Sequence, residues 1–143
     1  MDEPPFISFN FFGDAPPGFD ERKVIDWIVS SVEEEKKSLV YIEIIFCDDD
    51  YLLHLNQKYL QHDTLTDIIT FNYSEDDQAI QGELYISLQR VKENAETFEQ
   101  TFLNETHRVI IHGILHLVGY NDSSQHDKEV MTAKENYYLS WLS

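Results

Sequence analysis

The chain has 143 residues and a formal net charge of −17, and 42% of its residues are hydrophobic. This composition argues against intrinsic disorder and predicts one packed domain over residues 1–143. No apolar run approaches the length of a membrane span, and the N-terminus lacks the pattern of a signal peptide. Cys47 is the only cysteine, so no internal disulfide can form, and we expect a reducing, cytoplasmic location without a membrane partner.

The acidic charge bears on which partners the chain could bind. Proteins that bind RNA through bulk electrostatics are basic, because neutralising phosphates supplies most of the non-specific affinity. A chain with 27 acidic and 10 basic side chains should repel free RNA at long range. Any RNA-directed function would therefore need a local basic patch, a bound cation or a docking partner. The acidic runs Glu33–Glu35 and Asp48–Asp50 are expected to be solvated surface.

The first half of the chain alternates predicted strands and helices. Apolar, β-branched runs indicate the strands, and Asp20 and Asp48 or Asp49 are favourable N-caps for the helices. In chain order we predict a strand at Phe6–Phe12, a helix from Asp20 to about Glu35, a strand at Leu39–Cys47 that is buried on both faces, and a helix through about Tyr59 that buries Leu52, Leu55 and Tyr59.

The second half is predicted to begin with a hairpin and to continue in helices only. We predict a strand at Asp67–Tyr73, a loop at Ser74–Gln78, a strand at Glu83–Ser87, and helices at about Leu88–Gln100, Asn104–Val118 and Ser124–Trp141. The first units favour parallel pairing, and the short loop between the third and fourth strands favours an antiparallel edge. The predicted fold class is α+β, with a small mixed four-stranded sheet and about five helices.

The residues from His112 to Asp122 contain the most informative pattern. His112 and His116 are four residues apart in an apolar helix, so both imidazoles lie on one face and could share a metal ion. Gly119 can end the helix in a left-handed conformation, after which the chain turns back toward Asp122. A catalytic zinc ion needs three protein ligands and one open position. Asp122 is our choice for the third ligand, and His126 is the competing choice.

Simpler explanations exist for the same residues. Histidines at this spacing also occur by chance, although burying two of them in an apolar helix costs free energy unless both are bonded. Asp122 and Gln125 resemble a capping box for the last helix. His107 falls on another side of the metal-binding helix, and His54 and His62 have no suitable companions, so we do not expect these three to be ligands.

Gly113 limits the reaction classes that a metal could serve here. Metallopeptidases of the His-Glu-x-x-His type use the glutamate after the first histidine as a general base. Glycine occupies that position in this chain and cannot transfer a proton. The sequence therefore disfavours this type of peptidase.

Three segments, in order over roughly residues 50 to 135, resemble the YbeY endoribonuclease family of rRNA maturation factors. The first is Leu55-Asn56, Tyr59 and Thr66–Phe71, the second is Gly82–Ser87, and the third is His112–Asp122, which is similar to His-Gly-x-Leu-His-Leu-x-Gly-Tyr-Asp-His. Met131 and Glu135 also match the family's final helix. The chain departs from the family pattern at four positions, where Leu60 replaces arginine, Thr70 replaces serine, Glu83 replaces aspartate, and Asp122 replaces the third metal histidine.

The resemblance implies a zinc-dependent, single-strand-specific endoribonuclease that acts in 16S rRNA 3′-end maturation and ribosome quality control. It implies a zincin-like setting for the metal helix, one Zn²⁺ ion, and ribosomal RNA with the small ribosomal subunit and its proteins as partners. Either Asp67 or Glu83 could orient the attacking water, and Lys58, Arg90 or Arg108 could replace the arginine lost at Leu60. The alternatives are another metal-dependent hydrolase and a ribosome-assembly factor with a structural metal.

Overall fold

The computed structural model describes residues 5–60 and 66–142. Its elements follow the order that the sequence predicts, and the α+β class is confirmed. They are β1 (Phe6–Phe11), α1 (Glu21–Glu34), β2 (Ser38–Cys47), α2 (Asp49–Leu55), a π-helical turn (Asn56–Leu60), β3 (Ile68–Asn72), β4 (Ala79–Ser87), α3 (Leu88–Thr97), α4 (Phe102–Val118), α5 (Gln125–Leu139) and a final 3₁₀ turn (Ser140–Leu142). None of the described helices combines the length and apolarity that a membrane span requires.

The four strands form one mixed sheet in the order β1-β2-β4-β3. β1 and β2 are parallel, as are β2 and β4, whereas β3 and β4 are antiparallel. The predicted parallel pairing and antiparallel edge are therefore both confirmed. β4 begins at Ala79, four residues before the predicted start, because Ala79 and Ile80 continue the pairing with β2. The strand that contributes to the candidate site, β3, lies at one edge of the sheet.

The main hydrophobic core lies between one face of the sheet and helices α1, α3, α4 and α5. It includes Ile42, Ile44 and Phe46 of β2, Leu84 and Ile86 of β4, and Ile110, Ile111 and Ile114 of α4. A smaller cluster lies on the other face, where Cys47 and Ile69 pack against Leu52 and Leu55 of α2. β2 is buried on both faces, as predicted, so its sequence shows little alternation.

Three predictions about the helices and acidic runs are wrong. α2 ends at Leu55 and continues as a π-helical turn, which leaves Tyr59 56% exposed rather than buried. Asp49 is buried, because its carboxylate accepts hydrogen bonds from Ser87 Oγ at 2.7 Å and from Arg90 at 2.9 Å. Glu35 is not solvated either, since its side chain is only 9% exposed. Local charge density did not reveal these distant donors.

Candidate metal centre

Helix α4 and the turn after it bring the predicted ligands together. His112 and His116 lie on the same face of α4, one turn apart, with ring centroids 4.6 Å from each other. The helix ends at Gly119, whose φ of +126° favours glycine. The N–H of Tyr120 donates to the Leu115 carbonyl, which closes the reversal that leads to Asp122.

Three donor atoms of these residues form a small triangle. The Nε2 atoms of His112 and His116 are 3.1 Å apart, and each is 3.3 Å from Oδ2 of Asp122. Donor atoms about 2.0–2.2 Å from a tetrahedral metal ion lie about 3.3–3.6 Å from one another, close to the sides of this triangle. The triangle therefore fits three corners of such a coordination sphere. Within the described ranges, this group contains no fourth His, Cys, Asp or Glu, which leaves the fourth corner for a small ligand.

A carboxylate on α5 orients the first histidine. Nδ1 of His112 is 2.6 Å from Oε2 of Glu135, whose side chain is 9% exposed. An ionised carboxylate only accepts hydrogen bonds, so Nδ1 has the proton and donates, and Nε2 keeps its lone pair for a metal. Oε1 of the same carboxylate accepts from Arg108 at 3.0 Å, and Arg108 also donates to Asn136. Glu135, held in place by Arg108, thus fixes both the tautomer and the ring orientation of His112.

The electrostatics of the site favour positive charge at its centre. Burial lowers the pKa of His112, but the hydrogen bond and charge of Glu135, with the charges of Asp122 and Asp67, outweigh burial and raise that pKa. Burial raises the pKa of Asp67, against the opposing effect of His112. The acidic groups that attract a proton to His112 would also attract a metal cation.

The triad opens into a cleft of about 550 Å³. His112 and His116 are about one quarter exposed and Asp122 is 43% exposed, so the donor atoms are accessible from the cleft. The cleft is lined by the triad together with Asn56, Thr66, Asp67, Ile68, Ile69, Thr70 and Asn72. Among these lining residues, which all belong to the described part of the chain, there is no lysine or arginine.

A second carboxylate holds the turn that bears Asp122. Glu35, at the end of α1, accepts hydrogen bonds from the hydroxyl of Tyr120 at 2.6 Å, from Lys134 at 3.1 Å and from the hydroxyl of Tyr138. Burial raises the pKa of Glu35, but these three donors outweigh burial and lower it. The ionised carboxylate therefore anchors Tyr120, two residues before Asp122, to α1 and α5.

The structure separates Asp122 and His126 by their surroundings. Ser124, rather than Asp122, is the N-cap of α5 and accepts from the Asp127 N–H at 3.0 Å. The carboxylate of Asp122 is thus directed at the two histidines and not at a helix end. His126 is exposed on the first turn of α5 and is not one of the three residues that could hold a metal ion together.

Four other residues considered in the sequence do not line the cleft. Glu83 accepts from the Tyr73 hydroxyl at 2.8 Å and does not line the cleft, so its predicted role of orienting water is wrong. Arg90 pairs with Asp49 and Glu93, and Lys58 lies over the Tyr59 ring. His107 is buried beside Trp27, where burial and the charge of Lys23 lower its pKa to about 4. His62 and the side chain of Leu60 lie outside the described residues.

Gly113 has a structural role in addition to its effect on the chemistry. A Cβ atom at this position would lie 2.7 Å from Cδ1 of Ile68 and 2.9 Å from Cδ2 of Leu84. The glycine lets α4 approach β3 and β4 closely, which places the histidines beside the cleft. A glutamate here would force the side chains of Ile68 and Leu84 to shift, so the structure also argues against the peptidase pattern.

Comparison with known proteins identifies the family to which this arrangement belongs. The profile of the family described as Endoribonuclease YbeY matches residues 17–143. The chain belongs to the YbeY family. The resemblance seen in the sequence is thereby confirmed.

Curated YbeY relatives and one solved structure are similar to the chain over most of its length. Endoribonuclease YbeY of Flavobacterium psychrophilum is 49% identical over 93% of this chain and 94% of its own length. Endoribonuclease YbeY of Phocaeicola vulgatus is 47% identical over 96% of this chain and 99% of its own length. The solution structure of TM1509 from Thermotoga maritima is 30% identical, with a TM-score of 0.65, and covers 92% of this chain and 86% of its own.

Proposed function

We propose that this chain is a zinc-dependent endoribonuclease, specific for single-stranded RNA. In the cytoplasm, it would act in 16S rRNA 3′-end maturation and ribosome quality control. The observation that carries the proposal is the triad of His112, His116 and Asp122 at an open cleft, in a member of a family described as Endoribonuclease YbeY. Two imidazoles and one carboxylate are donors that zinc accepts.

The proposed zinc ion would be held by Nε2 of His112, Nε2 of His116 and Oδ2 of Asp122. When bound, zinc supplies an acidified water and offsets negative charge on a phosphodiester oxygen. Glu135 keeps the proton of His112 on Nδ1 and so keeps Nε2 available. Three ligands rather than four among the described residues favour a catalytic ion over a structural one, since structural zinc sites are closed.

Asp67 is our candidate for the group that orients the attacking hydroxyl and accepts its proton. It lines the same cleft as the triad, and burial raises its pKa, which makes its carboxylate a better proton acceptor. The attacking hydroxyl could belong to water or to the RNA 2′ position, and Asp67 serves either. Asp67→Asn should lower kcat at least about a hundredfold, the range of general-base effects, while zinc content stays at the wild-type level.

His116→Ala is the first test of the proposed function. We expect the variant to lose zinc, measured by mass spectrometry, and to lose cleavage of a single-stranded RNA. His126→Ala is the matched control, because it removes an exposed histidine outside the triad. Unchanged zinc content in His116→Ala would refute the site, and cleavage that persists without zinc would refute the mechanism. Rapid cleavage of a duplex of the same sequence would refute strand specificity.

The proposed substrate is RNA within the small ribosomal subunit rather than free RNA. A net charge of −17 opposes long-range attraction to phosphates, and the cleft lining contains no lysine or arginine among the described residues. Basic ribosomal proteins would supply the attraction that the chain lacks. Co-sedimentation with small subunits should therefore weaken as salt rises, and binding that is independent of salt would contradict this partner.

A further inference from the structure

The edge strand β3 faces the candidate site with its unpaired side. The Ser87 N–H donates to the Asp67 carbonyl at 3.0 Å, and the Tyr73 N–H donates to the Gln81 carbonyl at 2.9 Å. Hydrogen-bonded and non-hydrogen-bonded residues alternate along an antiparallel pair. The odd-numbered residues of β3 therefore direct their backbone groups at β4. The even-numbered residues direct theirs at the open edge.

The open edge faces the cleft, and its first residue is already bonded. Ile68, Thr70 and Asn72 all line the cleft. The carbonyl of Ile68 accepts from the Thr66 hydroxyl at 3.3 Å, and its N–H interacts with the Asp67 carboxylate. Within the described part of the chain, the N–H and C=O groups of Thr70 and Asn72 are thus the backbone groups of β3 that remain directed at the cleft.

The chemistry of this edge favours a nucleobase over a phosphate or a peptide. Thr70 and Asn72 each present one donor and one acceptor side by side, whereas a phosphate only accepts and would be repelled by the carbonyl oxygens. The edges of unpaired bases carry donors and acceptors together. A peptide added as a strand pairs over several residues, and two residues offer too short an edge for it.

We propose that the backbone of Thr70 and Asn72 forms a nucleobase-binding subsite, in which N–H and C=O groups bond to the edge of an unpaired base next to the scissile phosphate. This inference rests on the proposed endoribonuclease function and deepens it. It gives a physical reason for single-strand preference, because the Watson–Crick edge of a base in a duplex is already engaged. It also lets an acidic protein recognise RNA without cationic side chains at the cleft.

Amide hydrogen exchange, followed by NMR on the full zinc-loaded chain, tests the subsite without a mutation. The probe is a short single-stranded 2′-O-methyl phosphorothioate oligonucleotide, which resists cleavage. We expect exchange at Thr70 or Asn72 to slow by about fivefold at saturation, the effect of one ordinary hydrogen bond. Ile69 and Phe71 are the internal controls, since their amides already bond to β4.

A duplex and a peptide, tested in the same exchange measurement, distinguish an unpaired base from the other possible occupants of the β3 edge. The duplex form of the oligonucleotide should not protect Thr70 or Asn72. An extended hexapeptide of alternating valine and threonine should not protect them either. Oligonucleotide binding that leaves both amides unprotected would overturn the proposal, as would protection by the peptide alone.

Thr70→Pro provides a functional test, because proline removes an N–H that points away from β4, which an edge strand can tolerate. We expect kcat/KM on single-stranded RNA to fall about tenfold and base preference at the cleavage site to flatten, with zinc content retained. Thr70→Val removes only the hydroxyl and keeps the N–H, so its kcat/KM should fall less than that of Thr70→Pro. If the wild-type chain cleaves RNA and Thr70→Pro keeps its base preference, the subsite is refuted. If the wild-type chain cleaves no RNA, the proposed function fails, but the exchange experiment still tests the subsite. The exchange experiment is also the deciding test in the case that Thr70→Pro does not fold.

Discussion

Glu135→Gln is the substitution that most sharply tests how the site is organised. The carboxylate of Glu135 accepts two hydrogen bonds, from His112 Nδ1 on one oxygen and from Arg108 on the other. Glutamine has the same shape but offers one oxygen and one NH₂ group. Whichever way the amide turns, its NH₂ group faces either Arg108, another donor, or the nitrogen of His112. In the second orientation the proton of His112 moves to Nε2 and blocks metal binding.

The expected loss of zinc affinity follows from this mismatch of hydrogen-bond donors and acceptors. Groups that orient a metal-binding histidine typically contribute about 10- to 100-fold to metal affinity, or about 1.4–2.7 kcal/mol. Glu135 is 9% exposed, so solvent screens its interaction with His112 only weakly. We therefore expect Glu135→Gln to fall within this range, and Glu135→Ala to fall at its upper end, because alanine also leaves Arg108 without its carboxylate.

The assay is competition for zinc against a chromophoric chelator at pH 7.5, combined with thermal unfolding of the metal-free protein. Glu129→Gln is the matched control, because it makes the same charge change on an exposed position of α5. Its zinc affinity should stay within about twofold of wild type, since exposed charges are screened. Equal zinc affinities for wild type and Glu135→Gln would refute the assigned tautomer of His112.

Three further substitutions test the packing and the electrostatics around the site. Gly113→Ala should lower the free energy of unfolding, measured in urea, by about 1 kcal/mol. The close contact with Ile68 costs about 1–3 kcal/mol, and the higher helix propensity of alanine offsets about 1 kcal/mol of this. A more stable variant would contradict this packing. The wild-type chain should lose about 3 kcal/mol of stability as the pH falls from 6.5 to 4, because His107 takes up a proton in the unfolded chain before it does so in the folded chain. His107→Phe should remove this pH dependence. That loss would persist in the variant if His107 were not its source. Tyr120→Phe should lower stability by about 1–2 kcal/mol, because the hydrogen bond to Glu35 is lost, and should lower zinc affinity several-fold. Both quantities are measured as for Glu135→Gln. Unchanged zinc affinity would show that the hydrogen bond between Tyr120 and Glu35 does not position Asp122.

Much of the fold could be predicted because its signals are local. Apolar, β-branched runs predicted the strands, and period-3.6 patterns with capping residues predicted the main helices, in the observed order. The short connection after β3 indicated the antiparallel edge. The end of α2 at Leu55 could not be predicted, because no glycine or proline marks it. The early start of β4 depends on pairing with β2, which local propensity does not contain.

The site shows the same division between local and distant information. The i,i+4 spacing brings His112 and His116 together, because residues one helical turn apart share a face. The glycine turn favoured Asp122 as the third ligand but left His126 as the competing choice. Glu135 lies 23 residues beyond His112, on a different helix, and only tertiary packing brings its carboxylate within 2.6 Å. Glu35 is separated from Tyr120 by 85 residues and looked like part of an acidic surface run.

The acidity of the chain leads to a final prediction about coupling between metal and RNA. Asp67, Asp122 and Glu135 surround the centre, and Arg108 forms an ion pair with Glu135. A phosphodiester that approaches the metal-free cleft meets excess negative charge, whereas a divalent cation removes most of it. RNA binding and zinc binding should therefore strengthen each other.

The size of this coupling should lie between about 5- and 150-fold, the usual range for interacting sites, and it must be reciprocal. Fluorescence anisotropy of a labelled, cleavage-resistant single-stranded RNA gives the affinity of the metal-free and zinc-loaded chain. Chelator competition with and without the same RNA gives the change in zinc affinity, and the two factors should agree. Because long-range repulsion by the rest of the protein is the same in both forms, their ratio isolates the charge at the centre. Equal RNA affinity in the two forms would mean that phosphate does not approach the triad, and the proposed chemistry would then lack its substrate.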